Sequence, residues 1–270
     1  RFAPDTTLQA VGKERPTLML TVPAVMQALS QHPLWGTTDL SSLRAVAAGS
    51  SLIPVPLIEA FIARGIPVIQ VYVSTETGPT AVYTRVGGDL SRLTSTGLPG
   101  LYCEAKVVDN DGREVPHGTA GEVVVRGPNV LYEYWGNAEA TAEALRDGWY
   151  HTGDIGTRDA DGYFYIHDRK KNMIISGGEN IYPAEVERVL HDHPCVAEAA
   201  VIGRPDPKWQ EVPVAYIVCR RDMTVSADEV KEFVGRNLAR FKIPREVIFV
   251  DSLPRTALGK VQHFMLREQQ

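Results

Sequence analysis

The sequence predicts an α/β protein in three successive parts: a partial doubly wound sheet subdomain over residues 1–93, a small distorted β-barrel over 94–167, and a small α+β C-terminal domain over 168–270. Three observations lead there. Apolar strand-like runs alternate with helix-period segments as far as Tyr83, and such alternation implies a parallel sheet covered by helices. From about Thr94 the runs shorten and turn signals multiply. After Asp168, strands and helices recur without strict alternation.

In the first part, Leu18–Thr21 reads as a buried strand, and Pro23 opens a helix carrying Met26 and Leu29 at helical spacing. Residues 43–48 and 67–72 are two further apolar strands, separated by a helix over 57–63 that stops at Gly65. Ligands of such sheets bind beyond the carboxyl ends of the strands. That rule singles out Gly49-Ser50-Ser51 and Val73-Ser74-Thr75-Glu76-Thr77-Gly78. The second loop gathers hydroxyls around one carboxylate, which suits phosphate oxygens together with a magnesium ion. It equally suits a Ser/Thr-rich turn that caps a helix.

In the second part, residues 104–109 lead into Asn110-Asp111-Gly112, a hairpin signal, and 121–127 follow as a strand. An Asp161-Gly162 turn precedes a strand at 163–166. A helix near 138–145 interrupts this β-rich unit, and Tyr132, Tyr134 and Trp135 read as core aromatics. In the third part, residues 173–176 and 180–182 flank the Gly177-Gly178 turn. Pro183 starts a helix with Val186, Val189 and Leu190 on one face and Glu185 and Glu187 near its positive end. Strands at 196–203 and 212–219 follow, and Ser226 with Glu229 forms a capping box for a helix burying Val230, Phe233, Val234 and Leu238.

Composition excludes several classes. At 270 residues and 44% hydrophobic, the chain can bury more than one core. No apolar run approaches a membrane span, and the first residues lack a secretory pattern, so a cytoplasmic location is expected. Net charge of -5 disfavours a general nucleic-acid binder, which needs surplus Lys and Arg to displace counterions. Cys103, Cys195 and Cys219 are too few and scattered for a disulfide framework or a zinc site, and read as buried small hydrophobes in a reducing compartment.

The densest stretch runs from Trp149 to Glu187. Asp154 sits in a Gly-flanked turn where its carboxylate can reach a diol or a cation, or bond its own backbone. Asp168-Arg169-Lys170-Lys171 is a basic cluster after a strand, able to meet one phosphate. Lys260, after Gly259 in a polar loop, reads from composition as a solvated surface lysine.

Taken together, these blocks resemble the C-terminal half of the AMP-forming acyl-activating superfamily, which includes acyl-CoA synthetases, nonribosomal-peptide adenylation domains and firefly-type luciferases. The resemblance is carried in order by Tyr72-Val73-Ser74-Thr75-Glu76-Thr77, Gly97-Leu98-Pro99-Gly100, Gly121-Glu122-Val123, Tyr150-His151-Thr152-Gly153-Asp154, Asp168-Arg169-Lys170-Lys171, Gly177-Gly178-Glu179-Asn180-Ile181-Tyr182-Pro183 and Pro254-Arg255-Thr256-Ala257-Leu258-Gly259-Lys260. It implies an acid-CoA ligase using ATP, Mg2+ and CoA on a fatty or aromatic carboxylic acid. It also implies that Gly49, Ser50, Ser51 and Tyr72 flank the nucleotide, with Tyr72 stacked on adenine. Thr75 would contact the α-phosphate, Glu76 the magnesium, Asp154 the ribose hydroxyls, and Arg169 the nucleotide.

Lys260 would bridge carboxylate and phosphate during adenylation, Lys171 would be the hinge, and Ser176, Gly177 and Gly178 would line the CoA tunnel. The family's phosphate loop is not in this sequence, so the expectation is a fragment that works with an N-terminal half of its own enzyme and is inactive alone. A nonribosomal-type adenylation domain and a non-catalytic nucleotide-binding module are the alternative readings.

Overall fold

The computed structural model describes residues 2–78, 81–256 and 261–268. The chain forms two compact units, one from residues 1–152 and 156–166, the other from 153–155 and 167–270. Among the described residues no helix is long and apolar enough to cross a membrane.

The first unit opens with α1 (Pro4–Glu14), β1 (Leu18–Thr21), α2 (Pro23–Ser30), β2 (Ala45–Gly49), α3 (Val55–Ile62), β3 (Val68–Tyr72), β4 (Val82–Tyr83) and β5 (Leu98–Pro99), whose strands follow the order β1-β2-β3-β4-β5. Each of these helices has a proline in its first turn, where the missing N–H costs nothing. Leu8, Met26, Leu29, Ile58 and Phe61 make one core beneath the sheet. The expected parallel pattern holds for β1, β2 and β3 only. β3–β4 and β4–β5 are antiparallel, and among the described residues neither connection carries an α-helix that could make a crossover.

The expected burial of β1 is also corrected. Leu18 and Leu20 are exposed, because β1 lies at the sheet edge and only the alternate face meets the core.

A half-barrel sheet follows, built from β6 (Glu104–Val108), β7 (Gly121–Arg126), β8 (Leu145–Arg146), β9 (Trp149–Arg158) and β10 (Phe164–Arg169), with path β10-β9-β7-β6 and β8 beside β9. The Asn110-Asp111-Gly112 turn does not join β6 directly to β7. It folds back locally, with Asp109 N–H donating to Arg113 and Val108 bridging Glu114, before the chain reaches Gly121. The interrupting helix is α4 (Ala138–Ala144), capped by the Asn137 side chain.

The second unit carries β11 (Ile174–Ser176), β12 (Glu179–Ile181), α5 (Pro183–His191), β13 (Val196–Asp206), β14 (Gln210–Cys219), α6 (Ala227–Asn237), β15 (Glu246–Phe249) and α7 (His263–Arg267). Strand order is β12-β11-β14-β13, with β15 parallel to β14. Alternation along β13 sends Ala199 and Val201 to a core with Val186, Leu190, Val230 and Val234, and Ala200 and Ile202 to a second core with Tyr216 and Leu266. Residues 199–202 of this strand are therefore apolar on both faces. Both halves of the Ser226–Glu229 capping box are present. Cys103 is buried, whereas Cys195 and Cys219 are half-buried, Cys219 packing against the second unit's core at the end of β14; all three are free thiols.

Candidate active site

In the first unit the candidate residues lie on the loops leaving β2 and β3. Gly49 ends β2 opposite Val71, and a Cβ there would stand 2.4 Å from the Val71 carbonyl oxygen. Only glycine allows this approach. Ser50 follows at φ 72, a left-handed conformation costly for serine, and Ser50 and Ser51 are both exposed.

Tyr72 is half-buried at the end of β3. Beyond it, Ser74 and Thr77 bond reciprocally: Ser74 N–H donates to Thr77 Oγ1 (3.0 Å), and Thr77 N–H donates to Ser74 Oγ (3.2 Å). Those two hydroxyls lock the turn. Thr75 stays exposed at its tip.

The loop is also braced from the segment after β7. Asn129 Nδ2 donates to the Thr77 carbonyl at 2.6 Å, and Leu131 N–H donates to the Glu76 carbonyl at 2.6 Å. The Tyr134 hydroxyl donates to Glu76 Oε1 at 3.0 Å. Burial first, then the Glu76 charge, holds the Tyr134 and Tyr150 phenols above their ordinary range; Tyr150 also bonds Ser74 and Tyr134. Tyr134 and Tyr150 are thus site residues that the sequence reading missed.

The expected aromatic core at 132–135 is corrected accordingly. Tyr132 and Trp135 are 92% and 95% exposed, because the chain turns here without entering a sheet, and Tyr134 is held by its hydroxyl rather than by ring packing.

In the second unit, Arg169 Nε lies 2.6 Å from Asp154 Oδ1, the carboxylate buried and the guanidinium half exposed. Gly153, Arg169, Lys170 and Lys171 line an open cleft of about 330 Å³. Lys171 is exposed within the single helical turn at Lys170–Asn172. Asp168 organises what surrounds it. Its Oδ1 accepts the Arg169 N–H (2.7 Å) and Asn172 Nδ2 (3.1 Å), and its Oδ2 accepts the Ala184 N–H at 2.8 Å. α5 has no side-chain cap of its own, so Asp168 supplies one from a distance.

Ser176 pairs with Gln210, and Gly177 and Gly178 turn at φ 60 and 86. Gly177 lies beneath the Trp209 ring, with its N–H donating to the Trp209 carbonyl at 2.8 Å. Lys260 lies outside the described residues.

The arrangement fits magnesium in one way only. Among the described residues no cluster of three or more His, Cys, Asp or Glu could cage a metal. A lone oriented carboxylate such as Glu76 suits an ion that takes its remaining ligands from phosphates and water.

A family model described as AMP-binding enzyme matches residues 1–135, and one described as AMP-binding enzyme C-terminal domain matches 185–260. The chain belongs to the AMP-binding enzyme family. Among similar AMP-binding enzymes, indoleacetate–CoA ligase of Aromatoleum aromaticum is 45% identical over 99% of this chain and 52% of its own length. Feruloyl-CoA synthase of an Amycolatopsis species is 45% identical over 96% of this chain and 53% of its own.

The solved o-succinylbenzoate CoA synthetase of Bacillus subtilis, in complex with its acyl-adenylate intermediate, superposes with TM-score 0.88. It is 37% identical, covering 100% of this chain and 54% of that one. The chain spans about half the length of the relatives it matches.

Proposed function

We propose that this chain is the C-terminal part of an AMP-forming acid-CoA ligase acting on an aromatic carboxylic acid. The observation that carries the proposal is the buried Asp154 carboxylate paired with Arg169, which lines the open cleft. A carboxylate with two acceptor oxygens suits the two hydroxyls of a ribose. The aromatic acids named in the relatives, indoleacetate, ferulate and o-succinylbenzoate, support that substrate class over fatty acids.

A carboxylate resists nucleophilic attack, so it must first gain a good leaving group. In the first half-reaction one carboxylate oxygen attacks the α-phosphorus of ATP and pyrophosphate departs. Thr75 Oγ1 donates to an α-phosphate oxygen, and the Lys260 ammonium neutralises the two anions brought together. Glu76, oriented by Tyr134, would hold magnesium, which supplies charge neutralisation on the phosphates. In the second, the CoA sulfur attacks the acyl carbonyl, AMP leaves, and the thiol proton passes to solvent. Lys171 serves as the hinge between the two half-reactions, and Gly177-Gly178, with no side chains of their own, flank the pantetheine arm.

The test is incubation of the full-length protein with ATP, magnesium and aromatic and fatty acids, with and without CoA, read by mass spectrometry. AMP with an aryl-CoA thioester is the expected product. An acyl-adenylate that persists in the presence of CoA would point to a carrier-protein acceptor. Nucleotide binding without AMP release from any acid would leave a binding module.

A further inference from the structure

The residues flanking 257–260 form a built stem. The Gln262 N–H donates to the Pro254 carbonyl at 2.9 Å, and Arg255 and Val261 form an antiparallel bridge. Side chains from other elements hold both arms. The Arg255 guanidinium lies 2.8 Å from Glu198 on β13, and His263 Nε2 lies 2.8 Å from Glu187 Oε1 on α5. That same Glu187 oxygen accepts the Val201 N–H at 2.7 Å, so one carboxylate ties α5, β13 and α7 together. Val261 and Leu266 pack into the core formed by Ala200, Ile202 and Tyr216.

We propose that Glu187 and His263 are positioning residues for Lys260, fixing the stem that adjoins it in the chain. The proposal rests on Lys260 being the adenylation lysine. Lys260 is covalently next to Val261, so a slip of the stem displaces it directly. Positioning errors of this kind are costly, because charge stabilisation depends on groups held in place before reaction. The Glu198–Arg255 pair is more exposed than Glu187–His263 and serves as the weaker arm.

The groups facing His263 give the stem a pH dependence. Burial lowers its pKa, but the hydrogen bond and charge of Glu187 outweigh this, Asp168 adds in the same sense, and Arg267 on its own helix opposes. His191, also on α5 and near Glu187, is held below its ordinary value by burial. The net result for His263 is a pKa above the usual 6.5. The ion pair is therefore complete below that usual value and is lost as pH rises through the raised one.

Hydrogen exchange on this chain, corrected for intrinsic rate, reads the stem directly. Between about pH 6 and about pH 9, protection of amides 261–266 should fall about tenfold, and stay level in His263→Arg, whose charge does not titrate. Protection that does not change with pH in the wild type overturns the clamp.

In the full-length protein, Glu187→Gln and His263→Gln should each slow adenylation about tenfold while thioester formation from supplied acyl-adenylate keeps its rate. His263→Arg, with its folding checked by its melting temperature, should restore adenylation at alkaline pH. Equal slowing of both half-reactions, or of neither, overturns the positioning role. Lys260→Ala separates the two claims: adenylation that survives it removes the reading of Lys260 and the positioning role with it, whatever the exchange data show of the stem.

Discussion

Arg169 and Asp154 hold one another at 2.6 Å, with the carboxylate buried and the guanidinium half exposed. Two of the side chains nominated for the nucleotide are thus engaged with each other. A carboxylate oriented by a neighbouring cation presents its acceptor oxygens without further rearrangement. Arg169 in turn is set by its own backbone, since its N–H is bonded to Asp168.

That relationship makes Asp154 the most informative position for nucleotide binding. Asp154→Ala should weaken AMP binding about 10- to 100-fold, because a hydrogen bond to a charged group contributes about 1.5–3 kcal/mol. Asp154→Asn keeps the shape and loses the charge, so it should fall between the two. Titration calorimetry of this chain with AMP measures both. Unchanged affinity in the alanine variant would remove Asp154 from the ribose site.

The two turn glycines differ in a way that a melt can resolve. Both have positive φ, so alanine at either costs about 1–2 kcal/mol in backbone strain. At Gly178 nothing lies within 4 Å of an added Cβ, whereas at Gly177 it would stand 2.6 Å from Trp209 Cε3. Urea denaturation should therefore rank Gly177→Ala below Gly178→Ala in stability. In the full-length protein, Gly177→Ala should slow thioester formation more than adenylation. Equal stability of the two variants would mean that the Trp209 ring moves aside without cost.

Much of this architecture is legible in local pattern. The capping box at Ser226 and Glu229, the proline-started α5 with Val186, Val189 and Leu190, and the Gly177-Gly178 turn all depend on residues a few positions apart. What stayed hidden depends on distant partners. The exposure of Leu18 and Leu20 follows from β1 lying at a sheet edge, which no window around those residues reveals. In the 73–78 loop Ser74 and Thr77 close the turn while Thr75 stays outside it, a division of roles among similar hydroxyls that only the folded turn reveals. Glu187 reads as a helix-dipole acid, yet its partner His263 lies 76 residues further on.

Asp168 offers a prediction about the base of the hinge. Three donors converge on its two oxygens, so Asp168→Asn must turn an amide NH2 toward at least one of them. The cost should be about 1–3 kcal/mol near neutral pH, measured by denaturant titration. Burial lifts the Asp168 pKa above the usual 3.8. A raised pKa gives a contribution that is complete below the usual value and declines as pH rises through the raised one. In the asparagine variant that slope should be missing. A slope retained there would have to come from another carboxylate.

Tyr134 provides the sharpest test of the metal assignment, because it touches Glu76 and none of the residues nominated to meet the substrate. Its hydroxyl is the donor that aims the Glu76 carboxylate, while the Glu76 main chain is fixed separately by Leu131. Tyr134→Phe removes the first restraint and leaves the second. Loss of a partner that orients a metal ligand typically weakens metal binding about 10- to 100-fold. The magnesium concentration giving half-maximal adenylation should rise by about that factor in the full-length protein. AMP binding without magnesium should be unchanged, since Asp154 and Arg169 are untouched. A variant that loses AMP affinity while keeping its magnesium requirement would place Tyr134 on the nucleotide and separate Glu76 from the metal.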